Sequence, residues 1–527
     1  MNYQSLTFIF FSTAVLLLYY IVGKKLQLWV LALANITFYC ICGVKYLPFL
    51  LVTLFATYFS GLIIGHIYEK SDIKLAECTD ASEKKIIRKK AKSKAKWALM
   101  LALIISIGLL AVCKYTGFAV TNINKLLVSL SIKELSTFNI ILPIGISYYT
   151  FMAISYVLDI YWKRYKYEKN FLLYSVYLTY FPHIVQGPID RFNEFKEQVS
   201  GGVKVSYENI TFGAKLTIWG FFKKLVIADR LGMFVDAILG NWKNFDGIYI
   251  MIAFVVFSIQ IYADFSGCID IVSGVSEAFG IHLRKNFNHP YFSKTMAEFW
   301  RRWHISLQEW FKDYVYYPVS ASKFTKSVKK GLKKRNLKRL EELFANCFPI
   351  LVVWMITGIW HGAAWKFVAW GMFHAALLIG SRVFEPLFNK LTKLFRIDTE
   401  NFGWHFIQML RTFLLCCVGR IFFRAENFTT SLSLIKKMMF NTDITKLLDM
   451  KPSLFGLTID DVTIMIASVC VLWIVDLLQE KFSIRNTLSK QNIVFRWAII
   501  LAGLFAIIIF GIYGPGYNAS SFIYEQF

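Results

Sequence analysis

The sequence predicts an all-α polytopic membrane protein, and three observations support that class. Of 527 residues, 56% are hydrophobic and 17% aromatic, too apolar for an ordinary soluble globule. Apolar runs long enough to cross a bilayer as helices recur from end to end. Those runs are rich in Phe, Leu, Ile and Gly and lack period-two alternation, which selects helices over a closed barrel. The expectation is about 11–13 transmembrane helices with re-entrant and interfacial helices among them. The net charge of +25 does not indicate nucleic acid, because the bases sit in short stretches between spans, where they orient a membrane protein. Nine cysteines, an odd number mostly inside apolar runs and without C-x-x-C spacing, exclude a disulfide framework and a cysteine metal site.

The first span covers residues 6–22, and Lys24 and Lys25 follow at once. Positive stretches stay cytoplasmic, so the N-terminus is expected outside. The opening residues show no basic region and no small-residue cleavage site follows, so the first helix is read as uncleaved. Spans at 26–44 and 48–68 return the chain to the cytoplasm and to the densest basic loop, residues 84–96. The parity agrees with the charge rule. A fourth span at 97–112 leads to a weakly amphipathic segment at 122–132. A fifth at 140–161, with Pro143 and Gly145 in its first turns, ends at the basic residues 163–166. Residues 171–194 mix apolar side chains with Pro182, Gly187 and Pro188 and read as a broken or re-entrant segment.

Further spans fall at 213–228 and 247–263, before Asp264 and Asp270. Six residues apart, these carboxylates do not share a helical face and are expected to partner Arg301 or Arg302, or to cap a helix. Residues 296–317 are rich in Trp, Tyr and Arg and too charged to cross lipid, so they are placed at an interface or against the core. A basic loop at 323–339 precedes spans at 348–360 and 365–379, and later spans fall at 404–423, 462–478 and 495–513. Counting from Arg396 puts the C-terminal tail outside.

The chemistry concentrates between residues 264 and 374. Two of only eight histidines directly follow a tryptophan there, in Trp303-His304 and Trp360-His361. An imidazole in an apolar run is costly to bury and needs a reason, of which packing or a hydrogen bond is the ordinary one. A histidine near neutrality can also take a proton from a hydroxyl as a general base. Acyl transfer fits that ability: it needs a base, an electrophilic thioester and donors for the developing oxyanion. A nucleophile elbow is absent from the sequence. No metal is expected, since His304 and His361 lack a carboxylate or cysteine at ligand spacing. His374 is read as a packing residue.

Four segments occur in a characteristic order: Asp264-Phe265-Ser266-Gly267, Asn286-Phe287-Asn288-His289-Pro290-Tyr291, Glu298 to Ser306 around Trp303-His304, and Gly358-Ile359-Trp360-His361-Gly362-Ala363-Ala364-Trp365. Together they resemble the membrane-bound O-acyltransferase family, in its bacterial alginate O-acetyltransferase-like branch, which is similar to the teichoic-acid D-alanyl transfer protein. The match is specific over residues 180–375, with peripheral helices at 1–161 and 404–513 and a tail at 514–527, all in one domain over 1–527. The resemblance implies helices around a central funnel, His361 as the catalytic histidine and His304 as its partner. One departure is His289, where such proteins often carry arginine. Tyr524, framed by aromatics in the tail, is either an interfacial anchor or, by the resemblance, an acyl relay. Arg301 and Arg302 are candidate donor contacts, and His183 and Trp360 candidate funnel contacts.

The expected function is movement of an acyl group, acetyl in the first instance, from a cytoplasmic thioester such as acetyl-CoA towards an extracytoplasmic or cell-wall polysaccharide. No bound cofactor is called for. The expected partners are the donor, membrane lipid, a polysaccharide acceptor and an extracytoplasmic acetyltransferase. The alternatives are D-alanyl transfer to teichoic acid and, from a different class, a proton-coupled transporter or flippase using the histidines as a relay.

Overall fold

A computed structural model describes residues 1–136 and 140–513. Among these residues the chain is helical, with no strand beyond a single bridge between Phe287 and Trp303. Seven helical stretches are long and apolar enough to cross a membrane, and an eighth forms if Trp365–Val383 and Glu385–Leu394, bent by 59°, count as one broken span. One of the seven, Gln27–Glu77, is two helices, Gln27–Gly43 and Leu47–Glu77, joined by a 3₁₀ turn, so it contains two of the expected runs. Other expected runs are shorter than a span: Leu6–Ile21 and Ile146–Tyr161 each have 16 residues.

The described residues form two compact units: Met1–Ala214 with Val272–Arg284, and Lys215–Ile271 with the chain from Lys285 onward. In the first, the basic stretch 84–96 is helical rather than a loop, because it belongs to the 49-residue helix Ala81–Ser129. Lysine, arginine and alanine are good helix formers, and Asp80 caps the start by accepting from the Ser82 and Glu83 amides. Pro143 and Gly145 precede the fifth helix, which begins at Ile146; Gly145 is its N-cap in the left-handed region at φ 74°. Between Phe171–Thr179 and Phe192–Val199 the backbone is irregular and almost wholly buried. Side chains satisfy it: Asn35 Oδ1 accepts from the Phe181 amide at 2.9 Å. The Tyr3 hydroxyl donates to the Phe181 carbonyl at 2.9 Å and accepts from the Val185 amide at 3.1 Å.

The helix Gly247–Ala278, whose residues up to Ile271 belong to the second unit, runs on through Asp264 and Asp270 instead of ending before them. Their partners are lysines, not Arg301 or Arg302. A π-turn at Phe222–Ala228 sets Lys224 Nζ 2.7 Å from Asp264 and 2.9 Å from Asp229, and Lys223 Nζ 2.6 Å from Asp270. The basic stretch 323–339 is again mostly helix: Lys323–Lys334 is capped by Ser322, and Lys338 opens the helix Lys338–His361. That helix packs on Trp365–Val383 at a glycine pair. A Cβ on Gly358 would stand 2.5 Å from the Phe367 carbonyl oxygen, and one on Gly371 2.4 Å from that of Trp354. Only hydrogen at both positions permits this backbone approach.

Candidate active site

His361 is the last residue of Lys338–His361, brought beside Trp370 by the glycine crossing. Its ring is packed edge-on by aromatics, 4.7 Å from Trp370, 4.9 Å from Trp360 and 5.5 Å from Phe423, centroid to centroid. It is 5% exposed. A Cβ on Gly362 would stand 2.2 Å from the Phe367 ring, so only glycine lets that ring pack here.

His304 sits between two short helices, Met296–Arg302 and Ile305–Phe311, with φ 49° and ψ 53°. That left-handed conformation is unfavourable for a residue with a Cβ and persists only where surroundings fix it. Here the Asn286–Asn288 backbone fixes it. The Asn288 amide donates to the Arg302 carbonyl, and the Ile305 amide to the Asn286 carbonyl, both at 2.9 Å. Asn286 Oδ1 also accepts from the Ser306 amide at 3.1 Å. The His304 ring meets Phe265 edge-on at 4.9 Å and lies 6.5 Å from Trp360. One indole, that of Trp360, thus neighbours both imidazoles. Burial pushes the His304 imidazole down to about 3, so it is neutral at physiological pH.

A pocket of about 320 Å³, measured to its open mouth, lies on the far side of two neighbours of His361, which is not itself part of the lining. Trp370 and Phe423 are walls of the pocket and neighbours of the His361 ring. Phe299, Trp300, Trp303, His374, Cys416 and Arg420 complete its polar and aromatic lining. His374, expected to be a packing residue, packs on Trp300, Trp354 and Trp370 and also lines the pocket. The sequence did contain a sign of Arg420, a charge inside the apolar run 404–423.

The remaining candidates are dispersed. Arg302 is already engaged by Glu298, at 3.0 Å, and by Glu480, while Arg301 is exposed. His183 lies in the first compact unit, buried, with Nδ1 3.1 Å from Asp190. Its Nε2 has no hydrogen-bond partner among the described residues. His289, also left-handed, has Nδ1 3.2 Å from Asp476. Tyr524 lies outside the described residues. No cluster of three or more metal-ligating side chains occurs among those described.

A family model of the membrane-bound O-acyltransferases matches residues 164–332. The chain is 30% identical to a peptidoglycan O-acetyltransferase of Helicobacter pylori, over 78% of this chain and 73% of that protein. It is 28% identical to a probable alginate O-acetylase AlgI of Pseudomonas syringae, over 81% and 73%. It is likewise 28% identical to a teichoic acid D-alanyltransferase of Bacillus subtilis, over 55% and 70%. With the ordered motifs and the apolar helices, these matches establish that the chain belongs to the membrane-bound O-acyltransferase family and is a multi-pass membrane enzyme.

Proposed function

We propose that the protein transfers an acetyl group from a cytoplasmic thioester to a hydroxyl destined for an extracytoplasmic or cell-wall polysaccharide, with His361 as general base. One observation supports this above others: the His361 ring shares two aromatic walls, Trp370 and Phe423, with a pocket that holds a buried arginine. In the proposed step the acceptor hydroxyl oxygen bonds to the thioester carbonyl carbon while its proton passes to the imidazole. The carbonyl electron pair moves onto oxygen, then re-forms the double bond as the C–S bond breaks. The imidazolium returns the proton to the departing thiolate, and the base is regenerated. His304, neutral and fixed by its backbone, is assigned to orient the reacting groups rather than to accept the proton. Relatives named for acetylation of alginate and of peptidoglycan support an acetyl donor and a polysaccharide acceptor. An extracytoplasmic transferase is the proposed partner for the final transfer.

The test is His361→Ala, assayed in membranes for polymer O-acetylation and for consumption of labelled acetyl-CoA. The expected result is a folded protein whose transfer rate falls by about 10²–10⁴-fold, the usual contribution of a general base. Acetylation at the parental rate would sink the assignment.

A further inference from the structure

Arg420 is a buried cation with no counter-charge among the described residues. It lies in the last turns of the apolar helix Phe402–Arg424 and is 7% exposed. Its guanidinium stacks on the Trp303 ring at 4.6 Å and donates through Nη2 to the Tyr291 hydroxyl at 3.3 Å. That hydroxyl in turn donates to the Ser258 carbonyl. No carboxylate pairs with Arg420 among the described residues, and none lines the pocket it faces. An unpaired charge in an apolar helix is strongly unfavourable and marks a functional position by default.

Two further residues of the same lining each carry a polar atom with no hydrogen-bond partner among the described residues: Trp300 Nε1 and His374 Nδ1. The two residues are 8% and 3% exposed. Their rings lie 4.8 Å apart, edge to face. An indole N–H and a guanidinium can only donate, and an imidazole can donate in one tautomer. The pocket therefore offers donors set in aromatic walls and no anionic acceptor of its own. That lining suits an oxygen acceptor on an otherwise apolar group. The space inside it is close to what a water molecule needs, room for a carbonyl oxygen or a methyl group.

We infer that this pocket receives the acyl end of the thioester, with its carbonyl oxygen held by Arg420, Trp300 and His374, and that it selects a short uncharged acyl group over an aminoacyl group. The ammonium of an aminoacyl thioester would be placed against the guanidinium with no carboxylate to receive it. This deepens the acyl-transfer reading, and rests on it for the presence of a thioester, by naming the class of donor.

The test uses the full chain in lipid nanodiscs with His361→Ala as the parent, so that turnover does not obscure binding. The probes are S-acetyl-pantetheine and S-D-alanyl-pantetheine, the thioester end common to coenzyme A and carrier-protein donors. The parent is expected to prefer the acetyl probe. Adding Arg420→Met should weaken acetyl binding by roughly 10- to 100-fold, the range for a hydrogen bond to a charged group, and should erase the preference. Arg420→Lys, which keeps the charge but loses the fork, should preserve discrimination while binding more weakly. Removing an unpaired charge should leave the melting temperature of Arg420→Met equal or higher. Unchanged acetyl binding in Arg420→Met, equal binding of both probes by the parent, or loss of binding accompanied by a lower melting temperature would each overturn the inference. Acyl transfer that survives in His361→Ala alone would instead remove the proposed base and leave the pocket result standing.

Discussion

His304 shows how far a single residue can be understood from burial and backbone alone. Its imidazole is neutral because burial holds it at about 3, well below the value of about 6.5 for an unfolded chain. The sign of the linkage follows from that depression. Between those two values the unfolded chain binds a proton that the folded one refuses, so acid weakens the fold through that window. Glutamine at this position keeps a neutral hydrogen-bonding group and removes the penalty. His304→Gln should therefore lower kcat/KM by about three- to tenfold, the worth of one neutral hydrogen bond, without moving the acid limb of the pH–rate profile. Acid unfolding should begin at lower pH than in the parent. A displaced acid limb would show that His304 itself titrates in catalysis. The pairs Trp303-His304 and Trp360-His361 were legible in the sequence, since local motifs announce them. The sequence showed Arg420 only as a charge in an apolar run and His374 only as a packing residue, because it is the packing of Phe402–Arg424 and Trp365–Val383 against the Trp300 segment that brings their side chains into one pocket.

At the scale of elements, sequence reasoning placed helices well and misjudged where they stop. Basic runs at 84–96 and 323–339 look like loops by hydropathy, yet lysine does not break a helix, and Asp80 and Ser322 supply the caps. Asp264 and Asp270 look like the end of a span until their partners are known. Those partners stand on another helix, at a π-turn that nothing in the local pattern foretells. The π-turn also frees the Leu225 carbonyl, which accepts from the Ile512 amide at 3.0 Å. Arg230, just beyond the turn, donates to the Phe510 carbonyl at 2.8 Å. The last described helix, Ile493–Phe510, is thereby tied to the same place as the buried lysines. Lys224 is 1% exposed between two carboxylates, so Lys224→Met would leave both Asp229 and Asp264 without their cation. The expected loss is about 3–5 kcal/mol, read as a lowered melting temperature in detergent by size-exclusion of heated samples. A variant that melts with the parent would mean the lysine is not charged in the fold.

Across the whole molecule, direction matters more than architecture. The proposed transfer from a cytoplasmic thioester to an exported hydroxyl requires a fixed orientation, and the charge distribution predicts one. Residues 84–96 and 323–339 are the densest basic stretches of a chain with net charge +25, and their helices expose most of those lysines. Near an anionic cytoplasmic leaflet each such residue contributes about 1 kcal/mol, so together they outweigh any competing preference of the short polar segments. Both stretches should therefore face the cytoplasm, with an even number of crossings between them, and the N-terminus should lie on the opposite side. In a variant stripped of its native cysteines, Ser93→Cys and Ser327→Cys, both at exposed positions, should react in intact cells with a membrane-permeant maleimide and resist an impermeant one. An epitope at the N-terminus should be accessible from outside without permeabilisation. Labelling of either cysteine by the impermeant reagent would reverse the orientation of that stretch. The proposed donor would then have no route from the cytoplasm by the charge rule, and the direction of transfer would have to be inverted with it.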